Sequence, residues 1–261
     1  NCDELGAAIW SAVACHRFGC SCWRAAKAPA SRRTPDREAM SGVAALSLGV
    51  RNGVADIPAA DWDALIGADE QPFVRHAFLS ALEQSGSLQR ELGWSPMPLL
   101  LHEGGKLIAA APGYLKTNSH GEFVFDWSWA DAYRRNGLVY YPKLLIGVPY
   151  SPITGPRLLV GAGVDAGERR AKLVGAIESL VGQLRLSSAH LNFLDESDAA
   201  ALVHDPWLPR FDWQFHFHNR GYADFEALLS EFSHKKRKNI RQERRHAQSC
   251  GLDIEWLDGE A

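Results

Sequence analysis

The hydrophobic residues of this chain recur at two periods, one typical of helices and one typical of strands. In the stretch ERRAKLVGAIESLVGQLRLS, Leu173, Ile177, Leu180 and Leu184 follow i, i+4, i+7, i+11 spacing, so they share one face of a predicted helix. HAFLSALEQSGS predicts a second helix, and IPAADWDALIG predicts a shorter one that starts near Pro58. The longest helical pattern, DFEALLSEFSHKKRKNIRQERRHAQSCG, is expected to bend or restart near its central serine.

Strand patterns separate these helices. AALSLGVRNGV, AHLNFLD, FDWQFHFHNRGY and LDIEWLDG each predict a strand, PLLLHEGGKLIAAAPGYLKT predicts a hairpin, and a strongly apolar strand begins near Tyr140. A short helix, ESDAAALVHD, follows AHLNFLD. The predicted order is β-α-α-β-β-β-α-β-α-β, then α-β. This order predicts an α/β (α+β) fold in which helices pack on a mixed sheet.

The periodic pattern begins only after the first 39 residues, where Met40 is the first methionine. We predict that residues 1–39 are a non-native or disordered extension and that the natural chain begins at Met40. Residues 40–222 then form a first domain. Residues 223–261 are predicted to be the start of a second, truncated domain.

Composition narrows the function classes. The 261 residues carry a formal net charge of −3, which gives no general reason to expect DNA or an anionic membrane as partner. The apolar runs are shorter than the roughly 18–20 residues of a transmembrane segment. Four of the five cysteines lie within the first 22 residues, without the spacing of zinc sites. We therefore expect no metal, no disulfide framework and a cytoplasmic location.

One segment is densely basic, in contrast to the net negative charge of the whole chain. HKKRKNIRQERRHA contains seven lysines and arginines in fourteen positions. On a helix, Arg237, Lys238, Arg241, Arg244 and Arg245 fall within an arc of about 120° and repel one another. Arginines match phosphate oxygens in geometry. Three interpretations stay open: a solvated surface face, a site for a phosphorylated donor or acceptor, and an RNA contact such as a tRNA acceptor stem.

The segment TNSHGEFVFDWSWADAY concentrates residues suited to acid–base chemistry. General acid–base catalysis needs a base to take a proton and an acid to protonate a leaving group. Glu122 or His120 could be the base and Tyr133 the acid, while Trp127 and Trp129 could wall a cleft for a sugar or peptide. Packing of the aromatic residues in the core is the alternative.

Three blocks of the chain resemble one known group of proteins. They are YLKTNSHGEFVFDWSWADAY, YYPKLLIGVPYSPITGPRLL and QFHFHNRGYADFEALLSEFSHKKRKNIRQERR. The resemblance is to bacterial predicted N-acyltransferases described as peptidoglycan biosynthesis or recognition proteins, which are related to the GNAT superfamily and to the Fem aminoacyltransferases. It covers roughly residues 45 to 261. It implies two GNAT-like units in tandem, the second truncated here.

The resemblance also implies a reaction. An acyl or aminoacyl group would pass to an amine, with acyl-CoA or an aminoacyl-tRNA as donor and a peptidoglycan precursor or another small molecule as acceptor. A non-catalytic protein of GNAT-like fold that binds a cell-wall precursor or another anionic ligand is the alternative.

Two glycine-containing stretches are candidates for the CoA pyrophosphate, which GNAT enzymes hold on backbone N–H groups between a strand and a helix. SPITGPRLL offers Gly155 and Arg157, and VGAGVDAGERR offers Gly161, Gly163 and Gly167. Ordinary glycine-containing loops are the favoured interpretation of both.

Overall fold

The computed structural model describes residues 7–15, 45–67, 72–204 and 206–251, together with residues 255 and 257. These residues divide after Gln214 into two compact units, which are described separately below. The predicted domain boundary, after residue 222, lies further along the chain. Most of the predicted extension, residues 1–39, falls outside the described residues, and its described part, Ala7–Cys15, forms a strand.

The first unit contains two sheets. Its strands are β1 (Ala7–Cys15), β2 (Leu46–Val50), β3 (Trp94–Pro96), β4 (Leu99–Glu103), β5 (Lys106–Ala111), β6 (Gly113–Lys116), β7 (Lys143–Ile146), β8 (Ser188–Leu194) and β9 (Trp207–Gln214). The larger sheet has the order β3-β6-β7-β8-β1-β9, and the smaller has the order β2-β4-β5. The β7–β8 pair is parallel and the other described pairs are antiparallel. The predicted mixed α/β (α+β) class is therefore confirmed.

Helices flank these sheets and form the second unit. The first unit contains α1 (Ala59–Asp63), α2 (His76–Gln84), α3 (Trp127–Arg135), α4 (Ala166–Gln183) and α5 (Glu196–Ala201), with 3-10 turns at Val54–Asp56, Pro72–Val74 and Arg90–Leu92. The second unit contains α6 (Phe225–Ser230) and α7 (His234–Ser249). The expected restart is confirmed, because Ser233 caps α7 by accepting a hydrogen bond from the Lys236 amide at 3.4 Å. Among the described residues, no helix is both long and apolar enough to cross a membrane.

The main core lies where α4 packs on the sheets. Leu173, Ile177 and Leu180 are buried there as their spacing predicts. Leu184 is half exposed, because α4 ends at Gln183 and the next residues turn away. A second core cluster surrounds Trp62.

Two predicted elements differ from the structure. The hairpin forms as β4 and β5, but the same apolar run then continues as β6 in the other sheet. Gly113 makes this possible, because a side chain there would meet the carbonyl oxygen of Met97. The strand predicted for residues 211–222 ends at Gln214. Helix α3 was not predicted, and the strand predicted for LDIEWLDG falls largely outside the described residues.

Candidate active site

Two lysines face each other in the middle of the six-stranded sheet. Lys116 on β6 and Lys143 on β7 are register partners, and both are fully buried. Like charges opposite each other across two strands destabilise a sheet, so this pair requires nearby anions. The segment between β6 and α3 supplies them as Glu122 and Asp126, both buried.

Lys143 is the centre of a hydrogen-bonded network. Its Nζ donates to Asp126 Oδ2 at 2.6 Å, to Glu122 Oε2 at 2.9 Å and to Ser119 Oγ at 2.9 Å. The Tyr140 hydroxyl donates to the same Asp126 oxygen at 2.7 Å. Enclosed ion pairs of this kind are stable only when their donors and acceptors are matched. Lys143 meets that condition, since its ammonium group makes all three of its possible hydrogen bonds.

The two carboxyl groups respond differently to this environment. Burial raises the pKa of Glu122, and Lys143 opposes the rise only in part. Burial acts in the same direction on Asp126, but Lys143, Ser119 and Tyr140 stabilise its charge and hold its pKa at about 2. Among the described residues, Glu122 Oε1 and Asp126 Oδ1 both have no hydrogen-bond partner, so the difference between the two groups comes from the other oxygen of each. Asp126 is thus the permanent anion, and Glu122 is the carboxyl group that can gain and lose a proton.

Lys116 completes the charge balance of two cations and two carboxylates. Its Nζ lies 3.4 Å from the centroid of the Trp94 ring and donates to the His120 carbonyl at 3.1 Å. Burial lowers the pKa of Lys116 to about 8, and attraction to Glu122 counters part of that effect. Lys116 and Glu122 are therefore two buried groups whose protonation is linked.

A polar stripe on β8 borders the network. Ser188, His190 and Asn192 alternate along this strand, and all three are buried. Ser188 Oγ lies 2.9 Å from His190 Nε2, and His190 Nδ1 lies 4.0 Å from Asp126 Oδ2. Burial, reinforced by the charge of Lys143, lowers the pKa of His190 well below its usual value, so this imidazole is neutral.

Glu122, Asp126 and His190 offer ligand atoms that all lie within 4.8 Å of one another. Such a set could hold a divalent cation. Lys143 is already hydrogen-bonded to both carboxylates and supplies a positive charge at the same place. A metal ion would have to displace that ammonium group, so we retain the prediction that no metal is used.

A chain of hydrogen bonds leads out of the buried network. Ser119 Oγ, which accepts from Lys143, also lies 2.7 Å from the hydroxyl of Tyr141. Tyr141 is only partly buried. The contacts from Glu122 through Lys143 and Ser119 to Tyr141 therefore link the enclosed carboxyl group to a more accessible hydroxyl.

The three residues predicted to be catalytic occupy different environments. Glu122 belongs to the buried network. His120 contributes its backbone carbonyl, whereas its imidazole is exposed and lies 4.9 Å from the ring of Trp127. The ring of Tyr133 packs edge-on against Tyr140 at 5.0 Å. The structure thus brings Lys143 rather than His120 or Tyr133 into hydrogen-bond contact with Glu122.

The two tryptophans predicted to line a cleft lie in the first turn of α3 and are partly exposed. Trp127 packs beside His120, and the Arg210 guanidinium lies 5.9 Å from the ring of Trp129. Both indoles therefore remain available at the surface next to the segment that carries Glu122.

Arg157 was predicted to contact phosphate, but it is fully enclosed. Its guanidinium donates to the carbonyls of Ile153, Pro156 and Asn192. Because the Arg157 guanidinium is hydrogen-bonded to the backbone inside the protein, this geometry argues against the predicted phosphate contact. The amide of the neighbouring Gly155 donates to the Phe193 carbonyl at 3.1 Å, so it too is occupied.

The second glycine-containing stretch is also unsuited to an anion. The amide of Gly161 donates to Leu65, and Asp165 forms the N-cap of α4. The Asp165 carboxylate pairs with Arg169 at 2.5 Å and would repel a phosphate approaching this helix end. The favoured interpretation, an ordinary loop, fits this geometry.

The predicted basic face lies on α7 in the second unit, where each of its residues is at least partly exposed. Arg241 pairs with Glu226, and the Arg244 guanidinium lies 4.2 Å from the ring of Phe225. These contacts join α7 to α6 along a groove of about 480 Å³, which Arg245 also lines.

The remaining predicted cations of α7 differ in their contacts. Arg237 donates to the Ser230 carbonyl at 3.1 Å. Lys238 and Arg245 make no ion pair within the described part of the chain. The helix therefore presents cationic groups that acidic side chains satisfy only in part.

Sequence reasoning missed Lys116, Lys143, His190, Ser119 and Tyr141. Two signals could have located some of them. KLLIGV places a lysine at the start of a strand that is otherwise apolar, and AHLNFL places a histidine in a strand that reads as buried on both faces. A charged or polar residue in such a strand needs a buried partner.

Fold and site together define a mixed α/β protein with an enclosed lysine–carboxylate network at the centre of its main sheet. The model of the FemAB-like family, described as peptidoglycan biosynthesis/recognition, matches residues 53–261. The chain belongs to this family, which confirms the predicted Fem-like relationship and places its role in peptidoglycan biosynthesis or recognition. No curated protein and no solved structure matches the chain.

Proposed function

We propose that this protein is an N-acyltransferase that passes an acyl or aminoacyl group to the amine of a peptidoglycan precursor. The observation that carries the proposal is the buried Glu122, whose pKa is raised and which is connected through Lys143 and Ser119 to the hydroxyl of Tyr141. A carboxyl group with a raised pKa is suited to general base catalysis.

The proposed mechanism moves one proton from the substrate ammonium to Glu122. Lys143 first gives a proton to Glu122, and rotation of the resulting neutral amine turns its lone pair towards Ser119. Ser119 then gives its proton to Lys143 as it takes the Tyr141 proton, and Tyr141 takes a proton from the substrate ammonium. The free amine then attacks the acyl carbonyl, so that a C–N bond forms while the C–S bond of a thioester or the C–O bond of an aminoacyl ester breaks. The proton lost by the attacking nitrogen neutralises the leaving sulfur or oxygen.

Acyl-CoA and aminoacyl-tRNA are the two donors that we propose. Both carry phosphates, and the partly satisfied cations of α7, in particular Lys238 and Arg245, suit phosphate oxygens. An aminoacyl-tRNA would be released by salt more strongly than acyl-CoA, because it makes more phosphate contacts.

One observation favours a second candidate function. The Glu122 side chain has no solvent exposure, and catalysis requires that the proton of the substrate reach Glu122 through other residues. A non-catalytic protein that binds a peptidoglycan precursor or another anionic ligand would need no such route. Binding without turnover would identify this second function.

The first test compares Glu122→Gln with Glu103→Gln. Both glutamates pair with a lysine, at 2.9 Å for Glu122 and 2.8 Å for Glu103, but Glu103 lies at the surface. Transfer from acyl-CoA or aminoacyl-tRNA to an amine-bearing muropeptide is measured across pH. The wild-type rate should rise with pH, and the midpoint of the rise should lie above the usual glutamate pKa of 4.5. The reason is that Glu122, whose pKa is raised, must lose its proton before it can act as a base. Glu122→Gln should lose this rise and about 10²-fold in kcat. A normal profile in Glu122→Gln would refute the assigned base.

The second test addresses the donor. Thermal-shift titrations of the 261-residue chain compare acetyl-CoA, longer acyl-CoAs and bulk aminoacyl-tRNA at two salt concentrations. Stabilisation by tRNA that weakens in Arg245→Gln, and also weakens with salt, would support α7 as the RNA contact. Arg185→Gln, which removes a cation outside α7, is the control. An equal loss in both variants would contradict a specific role for α7.

A further inference from the structure

A cavity of about 190 Å³ lies in the first unit beside the segment that carries Glu122. Its walls come from that segment, from the loop after β7, from the end of β8 and from β9. Five aromatic residues contribute to its lining: Phe123, Phe125, Phe193, Phe211 and Trp213.

Three of these phenylalanines have left-handed backbone conformations. The φ angles of Phe123, Phe125 and Phe193 are 59°, 48° and 57°. Bulky residues rarely adopt this region, because their side chains crowd the backbone there. Phe193 also lies where the pairing of β8 with β1 slips, between Leu191 and Leu194, a kind of bulge that redirects side chains. Strain is thus concentrated around one cavity, which is typical of a binding site.

Hydrogen bonds between the walls hold this arrangement. Arg210 donates to the Val124 carbonyl at 3.1 Å and joins β9 to the Glu122 segment. Gln214 donates to the Pro152 carbonyl at 2.6 Å and joins β9 to the loop after β7. The cavity is therefore preformed rather than a gap between independent loops.

Size and lining define what the cavity can take. A cavity of about 150 Å³ lined by apolar side chains is large enough to bind benzene, so this one admits a six-membered ring or a branched aliphatic group. Arg210 and Asp212 are the charged residues among its described lining. The Arg210 guanidinium is directed in part to the Val124 carbonyl, and Asp212 accepts from the Trp213 amide at 2.8 Å. The aromatic walls favour an uncharged ligand group.

The position of the cavity connects it to the network. Along residues 122–126, Glu122, Val124 and Asp126 are buried, whereas Phe123 and Phe125 are exposed and line the cavity. A group bound there would contact the same short segment that holds both carboxylates. We propose that the cavity binds the uncharged ring or branched aliphatic part of the transferred acyl or aminoacyl group and selects donors that carry one. This inference rests on the proposed acyl transfer.

The test begins with a probe that needs no turnover. Fluorobenzene is titrated into the 261-residue chain and followed by ¹⁹F NMR. Saturable binding is expected, and Phe125→Ala should raise the Kd by about fivefold, the effect of losing one aromatic contact. Phe217→Ala is the control, since Phe217 is an aromatic residue of the second unit with 70% exposure against 67% for Phe125. Absence of binding, or equal Kd values in both variants, would overturn the inference.

Phe125→Gly separates ligand binding from folding. Glycine accepts the left-handed conformation at Phe125 without strain, so this variant should be at least as stable as the wild type and still bind fluorobenzene more weakly. A variant that binds normally would show that the ring has no role in the cavity.

Donor selection is measured last, by comparing phenylacetyl-CoA with acetyl-CoA. Phe125→Ala should reduce the preference for the ring-bearing donor by about fivefold, and an unchanged preference would overturn the proposed selection. If fluorobenzene binds but neither these donors nor aminoacyl-tRNA are turned over, the proposed acyl transfer fails and the assignment of the cavity to an acyl group fails with it. If transfer occurs without fluorobenzene binding, the cavity inference alone fails.

Discussion

Replacement of Lys143 by methionine tests the central claim about the site, that one buried ammonium group compensates two enclosed carboxylates. The side chains of Lys143, Glu122 and Asp126 are each at most 1% exposed. Methionine keeps most of the side-chain volume and removes the charge. The substitution therefore leaves both carboxyl groups without their cation while causing little loss of packing.

The expected cost follows from the contacts that are lost. The pKa of Asp126 falls from 3.8 to about 2, which corresponds to about 2 kcal/mol of stabilisation at neutral pH, largely dependent on Lys143. Glu122 loses its hydrogen bond from Lys143, which adds about 1–3 kcal/mol. We expect Lys143→Met to reduce the free energy of unfolding by about 3–5 kcal/mol at neutral pH.

The loss should depend on pH. In the wild type, the lowered pKa of Asp126 stabilises the fold above the unfolded value of 3.8, and this contribution disappears as the pH falls towards 2. Without Lys143, burial raises the pKa of both carboxyl groups. The folded variant then binds more protons than the unfolded chain above about pH 4, so its stability falls as the pH rises. The difference from wild type should be smallest near pH 2 and should grow as the pH rises to 7.

Urea unfolding followed by tryptophan fluorescence measures this effect. Lys172→Met is the matched control, because Lys172 also joins two carboxylates, Glu103 and Glu168, both at 2.8 Å, but at the surface. That pair of contacts should be worth less than about 1 kcal/mol. The reasoning would be refuted by equal losses in the two variants, or by a Lys143→Met loss that does not change between pH 4 and pH 7.

Three further predictions concern the fold. Asp198 is buried and accepts hydrogen bonds from the amides of Arg157 and Leu158 at 2.6 and 2.8 Å. Asp198→Ala should therefore reduce the free energy of unfolding by about 3 kcal/mol or more, as measured by chemical unfolding. A reduction below about 1 kcal/mol would contradict this role. The side chain of Asp224 caps α6 with a hydrogen bond of 2.7 Å, whereas the capping hydrogen bond of Ser233 on α7 is longer, at 3.4 Å. Asp224→Ala should therefore speed amide hydrogen exchange in its helix more than Ser233→Ala does in its own. Faster exchange in the Ser233 variant would contradict this ranking of the two caps. Gly175 lies within α4 with open space around it, so Gly175→Ala should stabilise the protein by up to about 1 kcal/mol. Gly113→Ala should destabilise it, because the added methyl group would meet the Met97 carbonyl. Thermal unfolding measures both changes, and a lower melting temperature for Gly175→Ala or a higher one for Gly113→Ala would contradict this reasoning.

Several elements were predictable because their signals are local. The spacing of Leu173, Ile177 and Leu180 identified α4, and the glycine pair between β4 and β5 identified the hairpin. The restart of the helix at Ser233 also followed from nearby residues. Failures occurred where local signals were ambiguous. Helix α3 is short and aromatic, and the alternating pattern after Gln214 continues although no strand partner is present among the described residues.

The site depended on contacts between distant residues. Glu122 was predicted as a base from its residue type and neighbourhood, yet its partner Lys143 lies 21 positions away and His190 lies on a later strand. Periodicity carries no information on which strands become neighbours. Only the order β6-β7-β8 brings Lys116, Lys143 and His190 together.

The sequence by itself determined the mixed α/β class, most helices and strands, the basic face of α7 and the family, because these depend on local periodicity, composition and extended motifs. The tertiary structure alone decided that Lys143 sits between two buried carboxylates, that Arg157 is enclosed, and that five aromatic residues surround one cavity. The physical reason is burial. A charge has a low energetic cost in water and a high one inside a sheet, and only the folded arrangement specifies which charges are enclosed and which partners they meet.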